Sequence, residues 1–258
     1  MSNENGLVEL LFSGKFEFVD LGQPLDENTL ILQLPEPFAQ TPGFTKKKIS
    51  KYDDDGPAWY WNSFTCGEHV GTHFDAPTHW VTGQDGANVD KLPASDFIGE
   101  AIVMDMTADC EKNADRILEV EDILKFEKEH GKIPPHSWFV FQTGWAKYAQ
   151  DAEKFFNVGE DGMPHTPGPS AEAVTFLVKE RDVLGFCCET VGTDAGIAGT
   201  FEPMFPCHNI MHGNGKLGLT QLNNLDKLPA RGAIIIALPL KITDGSGSPV
   251  RPMAIVPK

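Results

Sequence analysis

Short runs of β-branched and aromatic residues, many ending at Gly, Pro or Asp, recur along the chain. They predict strands at FEFVDLG (16–22), AWYWNSFTC (58–66), GEAIVMDM (99–106) and SWFVFQTG (137–144). Further strands are expected at VLGFCCET (183–190), GAIIIALPL (232–240) and PMAIVP (252–257). Side chains that pack on a pleated surface, followed by a turn former, mark a strand and its end. Two stretches carry helical spacing instead. VEDILKFEKEHG (120–131) places Val120, Ile123, Leu124 and Phe126 near one face and stops at Gly131, with Pro134 beyond. SAEAVTFLVKERD (170–182) opens on Ser170 as an N-cap, puts Val174, Leu177 and Val178 on one face, and carries Lys179 and Arg181 near its end. More strands than helices, interspersed, predicts a mixed α/β domain. With no internal repeat or low-complexity linker, residues 1–258 are expected to form a single domain.

Composition narrows the classes. The chain is 41% hydrophobic and 22% charged, as soluble globular proteins are. No segment approaches the roughly 18–20 uninterrupted apolar residues of a membrane span. The start, MSNENGLVELLFSG, has no basic region ahead of an apolar run and so does not read as a secretory signal; the expected location is cytoplasmic. A net charge of −16 repels phosphate backbones and anionic lipid, which disfavours nucleic-acid and membrane roles and suits a small neutral substrate. Cys66, Cys110, Cys187, Cys188 and Cys207 are odd in number and form no CxxC pair, so buried free thiols are expected.

The chemistry concentrates in HVGTHFDAPTH (69–79), where His69, His73, Asp75 and His79 crowd into a Gly- and Pro-bearing turn after an aromatic strand. Residues four apart meet on a helical turn, and residues two apart share a strand face. Gly71 permits a sharp change between such shapes, and Pro77 stops a helix from running on. Two imidazoles and a carboxylate suit Zn, Mn or Fe and leave positions open for water and substrate. A further histidine beside them is what proton transfer needs. A competing reading takes His73-x-Asp75 as half of the triad of a non-haem iron oxygenase, with His136 or His208 as distal ligand; it leaves His69 and His79 without a task. A metal-binding scaffold without catalysis would have no use for His79.

At these residues the chain resembles the cyclase family of metal-dependent hydrolases, whose signature HxGTHxDxPxH is matched by His69, Gly71, Thr72, His73, Asp75, Pro77 and His79. ETVGTDAG (189–196), FPCHNIMHGNGKLGL (205–219), NNLDKLP (223–229) and ALPLKITDGSGSPVRPMAIV (237–256) are similar to later family blocks. AWYWNSFTCGEHVGTHFDAPTHW and MPHTPGPS look most like the family's isatin hydrolase branch. The resemblance implies a swivelling β/β/α fold, a homodimer or higher homo-oligomer, and His69, His73 and Asp75 as metal ligands. It also implies His79 as general acid/base and His208 as a second catalytic histidine. His212 lies outside the family pattern and is expected to make a local hydrogen bond; Asp194 in VGTDAG is expected to be a turn residue. Kynurenine formamidases of the family carry a glutamate where LTQLNNLDKLP here has Thr220 or Gln221. A neutral side chain cannot bridge two cations, so one divalent metal is expected, Mn(II) first and Zn(II) second, with Thr220 and Gln221 as substrate contacts. Trp59 and Trp80, beside the cluster, are candidates to stack on a flat substrate. The expected reaction is hydrolysis of a cyclic amide, isatin to isatinate, with another small amide or a lactone as the alternative.

Overall fold

The computed structural model describes residues 6–258. Its strands are β1 (Phe16–Asp20), β2 (Thr45–Asp53), β3 (Gly56–Thr65), β4 (His73–Asp75), β5 (Ile98–Asp105), β6 (Ile117–Leu118) and β7 (Trp138–Gln142). They continue with β8 (Gly168–Pro169), β9 (Gly185–Cys188), β10 (Leu217–Thr220), β11 (Ala233–Ile236), β12 (Gly247–Pro249) and β13 (Met253–Pro257). The α-helices are α1 (Gly6–Leu11), α2 (Thr107–Lys112), α3 (Val120–His130), α4 (Ala152–Phe156) and α5 (Ala171–Lys179). A mixed nine-stranded sheet runs β1-β13-β11-β5-β7-β9-β10-β4-β12. Its centre, β5-β7-β9-β10, is parallel and its flanks are antiparallel.

Strand alternation divides the interior into two cores. Ile102, Met104, Phe139, Phe141, Phe186 and Cys188 face α3 and α5, which contribute Ile123, Phe126, Ala173, Val174, Leu177 and Val178. Ala101, Val103, Trp138, Val140 and Cys187 point the other way. There they meet Val19 and Ala254 from one flank of the sheet and Phe74 and Leu219 from the other. Both flanks therefore curl over one core, and the Phe74 and Trp138 rings stand 6.4 Å apart. Fully apolar central strands require cover on both faces, and this arrangement supplies it.

The expected helices form where their apolar stripes place them. Ser170 caps α5 by accepting from the Ala173 amide. Leu124 departs from expectation: it stands exposed while Ile123 and Phe126 carry the buried face of α3. Arg181 clamps Glu127 of α3 through Nε and Nη2 at 2.6 and 2.8 Å. β2 and β3 form a separate two-stranded hairpin. Ile49, Tyr52, Trp59, Tyr60, Trp61 and Phe64 stand exposed on it. No helix among the described residues is long and apolar enough to cross a membrane.

Candidate metal centre

β4 runs antiparallel to β10, and its register sets Thr220 opposite His73 and Gly218 opposite Asp75. On its other side β12 sets Gly247 opposite Asp75. His73 and Asp75, two apart, share one face of β4, while Phe74 between them enters the core. Glycine on both flanking strands makes room at the site, Gly218 for Asp75 and Gly247 for the His69 ring. A Cβ on Gly218 would stand 2.6 Å from Asp75 Oδ2, and one on Gly247 would stand 2.4 Å from His69 Cε1. Gly218→Ala should therefore weaken metal affinity roughly 10- to 100-fold, the range for a change just outside the ligands. The check is a metal titration alongside circular dichroism; native-like spectra with unchanged affinity would contradict this role for the glycine.

The hydrogen bonds fix which imidazole nitrogens carry protons. The Gly71 carbonyl can only accept, so His73 Nδ1 donates to it at 2.7 Å and Nε2 keeps its lone pair. Gly71 aims that carbonyl from a left-handed backbone, φ 63°, which glycine adopts readily. The Ser246 hydroxyl donates to Glu68 Oε2 at 2.7 Å, and so it accepts from His69 Nε2 at 2.9 Å. His69 Nδ1 is thereby left as a lone pair, 2.8 Å from Asp75 Oδ1. His73 Nε2 lies 3.4 Å from the same oxygen. Two lone pairs against a carboxylate repel unless a cation or an added proton lies between them. Asp75 is fully buried, and its Oδ2 has no partner. Burial works to raise its carboxyl, but the neighbouring His73 and His69 rings outweigh this and hold it well below the usual carboxylate range. A buried, ionised carboxylate facing proton-free imidazoles is a donor set suited to a divalent metal.

His79 comes from a short 3₁₀ turn, Pro77–His79, in which its amide bonds to the Ala76 carbonyl at 3.0 Å. The turn lays its ring on His69, with centroids 3.7 Å apart and planes 24° from parallel. Burial, reinforced by His69, His208 and His212 and opposed by Asp75, pushes His79 down to about 2, so the ring is neutral.

A π-helical segment, Cys207–His212, supplies the opposite wall. Cys207 and Met211 enter the helix-side core, so His208 and His212, each one residue further on, share the adjacent face. Asp194 fixes this wall: its carboxylate accepts from the Cys207 and His208 amides at 2.6 and 3.1 Å and from His208 Nδ1 at 2.5 Å. Burial opposes protonation of His208, but the Asp194 contact prevails and raises its pKa. Asp194 is thus more than the turn residue expected from VGTDAG. The Trp80 ring lies 4.8 Å from His208 and 5.8 Å from Phe205, a flat apolar wall beside the imidazoles.

Of the expected site residues, the structure gathers His69, His73, Asp75, His79, His208 and Trp80. Thr220 sits on the His73 ring, its hydroxyl 3.1 Å from Nδ1. The Gln221 side chain is buried, and its left-handed backbone, φ 54°, lets its carbonyl accept from the Thr72 hydroxyl at 2.7 Å. Trp59 lies elsewhere, exposed on the hairpin with its ring edge-on to Trp61 at 6.0 Å. His136 precedes the start of β7 whereas Thr220 ends β10, at the opposite end of the parallel strands, so His136 cannot complete an oxygenase triad with His73 and Asp75. His212 joins the group unexpectedly, with its ring 5.5 Å from that of His208. Its spacing of four from His208 was the available signal.

Comparison with known proteins gives the same picture. An isatin hydrolase from Roseibium aggregatum is 46% identical over 257 residues, covering 98% of this chain and 97% of that protein. The solved structure of isatin hydrolase A from Ralstonia solanacearum superposes with a TM-score of 0.96 at 47% identity, covering 99% of this chain and 98% of that one. A crystal structure of an isatin hydrolase bound to the product analogue thioisatinate also reaches a TM-score of 0.96, at 45% identity over the whole of both chains. The family model for cyclases matches residues 19–195. Shared fold, shared sequence and the HxGTHxDxPxH cluster lead to one assignment: this chain belongs to the cyclase family.

Proposed function

We propose that the protein is a metal-dependent hydrolase that opens the lactam of isatin to isatinate. The observation that carries this is the convergence of His69, His73 and Asp75, with the neutral His79 ring stacked against them. The likeness over the full length to isatin hydrolases supports the choice of substrate. His69, His73 and Asp75 would hold one divalent ion, manganese before zinc. That ion supplies Lewis-acid polarisation of adjacent carbonyl oxygens. His79 takes one proton from a water as its oxygen bonds to the lactam carbon. It returns that proton to the ring nitrogen as the carbon–nitrogen bond breaks, since an unprotonated amine anion departs poorly. Water adds across the amide, and the new carboxylic acid releases its own proton. His208, held by Asp194, is placed to donate a hydrogen bond to an oxygen of the substrate. Trp80 offers a face to stack on a planar ring and excludes water, and Gln221 is retained as a further substrate contact.

Thr220 favours this reading over formamide hydrolysis, because its hydroxyl against His73 brings no second carboxylate to the site. A panel of isatin, N-formylkynurenine and a small unsaturated lactone tests the choice. Isatin should have the highest kcat/KM with the metal-loaded enzyme; a higher value for either competitor would reassign the substrate.

We also propose a homodimer or higher homo-oligomer. The exposed aromatic hairpin supports this, as does its strand β2, which carries Lys46, Lys47, Lys48 and Lys51 on a chain of net charge −16. A basic, apolar arm suits an acidic surface such as that of a second copy. Trp59 would reach substrate only with the help of such an assembly. A cytoplasmic location fits the five free thiols.

A further inference from the structure

His212 is buried at the centre with one nitrogen unexplained. Its Nδ1 donates to the Lys216 carbonyl at 3.0 Å, which locks the tautomer and leaves Nε2 as a bare lone pair. That atom is buried and has no hydrogen-bond partner. Asp75, His208 and His212 each present a donor atom within 4.8 Å of the others, so the lone pair belongs to the same chamber. The His79 and His212 ring centroids are 6.0 Å apart and their planes 78° from parallel, close to perpendicular. A buried acceptor without a donor costs stability, and such a group is explained when its donor arrives with the site's occupant.

We propose that His212 Nε2 accepts the N–H of the substrate's amide and so selects an unsubstituted ring nitrogen. The inference rests on the lactam reading above. An amide offers one N–H, lying in the plane of its ring. An imidazole acceptor in that plane and His79 at right angles to it divide the work. His212 fixes the nitrogen, while His79 addresses the lone pair that rises out of the plane as the carbon is attacked. Tertiary amides have no donor for this atom, and a site built to bond an N–H rejects the analogue lacking it.

The experiment compares isatin with N-methylisatin in the manganese-loaded wild type and in His212→Phe and His212→Gln, with bound metal measured in each. The wild type should prefer isatin by roughly 100-fold or more in kcat/KM. His212→Phe keeps the bulk of the ring. It should lose about 10- to 100-fold on isatin, change little on N-methylisatin and keep its metal, so that the preference collapses. His212→Gln, which restores an acceptor, should recover part of the preference even if the phenylalanine variant folds poorly. A wild type indifferent to the methyl group, or a preference that survives in His212→Phe, overturns the assignment. Loss of metal from either variant would make His212 a ligand and overturn it as well. Failure of the loaded wild type to open isatin at all removes the lactam reading and this inference with it.

Discussion

Replacing Asp75 with asparagine is expected to abolish stoichiometric metal binding and reduce turnover to background. The substitution keeps the shape of the side chain, removes its charge and turns one acceptor oxygen into an NH2 donor. Asp75 Oδ1 is the point on which the free nitrogens of His69 and His73 converge, at 2.8 and 3.4 Å. Without the charge, two neutral imidazoles remain to hold a dication in a buried place. The loss should therefore exceed the roughly 10- to 100-fold that a supporting residue around a metal costs. Thermal unfolding provides a second readout. Metal at 100 times its dissociation constant stabilises a folded protein by about 2.7 kcal/mol, so it should raise the Tm of the wild type and leave that of Asp75→Asn unmoved. Equal metal-induced shifts in the two proteins would exclude Asp75 as a ligand.

His79→Ala should have the opposite signature, metal retained and rate lost. The ring stacks on His69 but is not needed to fix the single ring proton of that residue, which Ser246 holds on Nε2. Removing a group that moves a proton in the rate-limiting step typically lowers kcat by about 10² to 10⁴-fold. The cavity left beside His69 is the size of an imidazole, so added imidazole should restore part of the rate. A His79→Ala enzyme with full turnover would show that the proton travels by another route, with His208 the next group to test.

Much of the frame was legible in the chain. Each of the strand and helix stretches read from periodicity holds an element of the structure; most are buried on one face or both, while AWYWNSFTC forms the exposed strand β3 and was read from its aromatic residues. The strands that escaped notice failed for a physical reason. β2, TKKKISKYD, faces solvent almost throughout and so shows no apolar alternation. β4, β10 and β12 are three or four residues long, and β10 and β12 carry the glycines that make space for Asp75 and His69. The cluster His69–His79 was readable because its members are close in sequence. The other wall was less so: His208 was read from the family resemblance, while Asp194 and His212 join it around a π-helical segment whose one local sign was the spacing of four between His208 and His212. Trp59 illustrates the converse, near the cluster in sequence and displayed on a hairpin in the fold.

The most direct test follows isatin by its absorbance with metal-stripped protein, before and after one equivalent of Mn(II). Ring opening that is absent without the metal and restored by it, with isatinate as the product, is the predicted result. Ring opening that proceeds unchanged in the stripped protein, or no opening by protein shown to have bound manganese, would contradict the account.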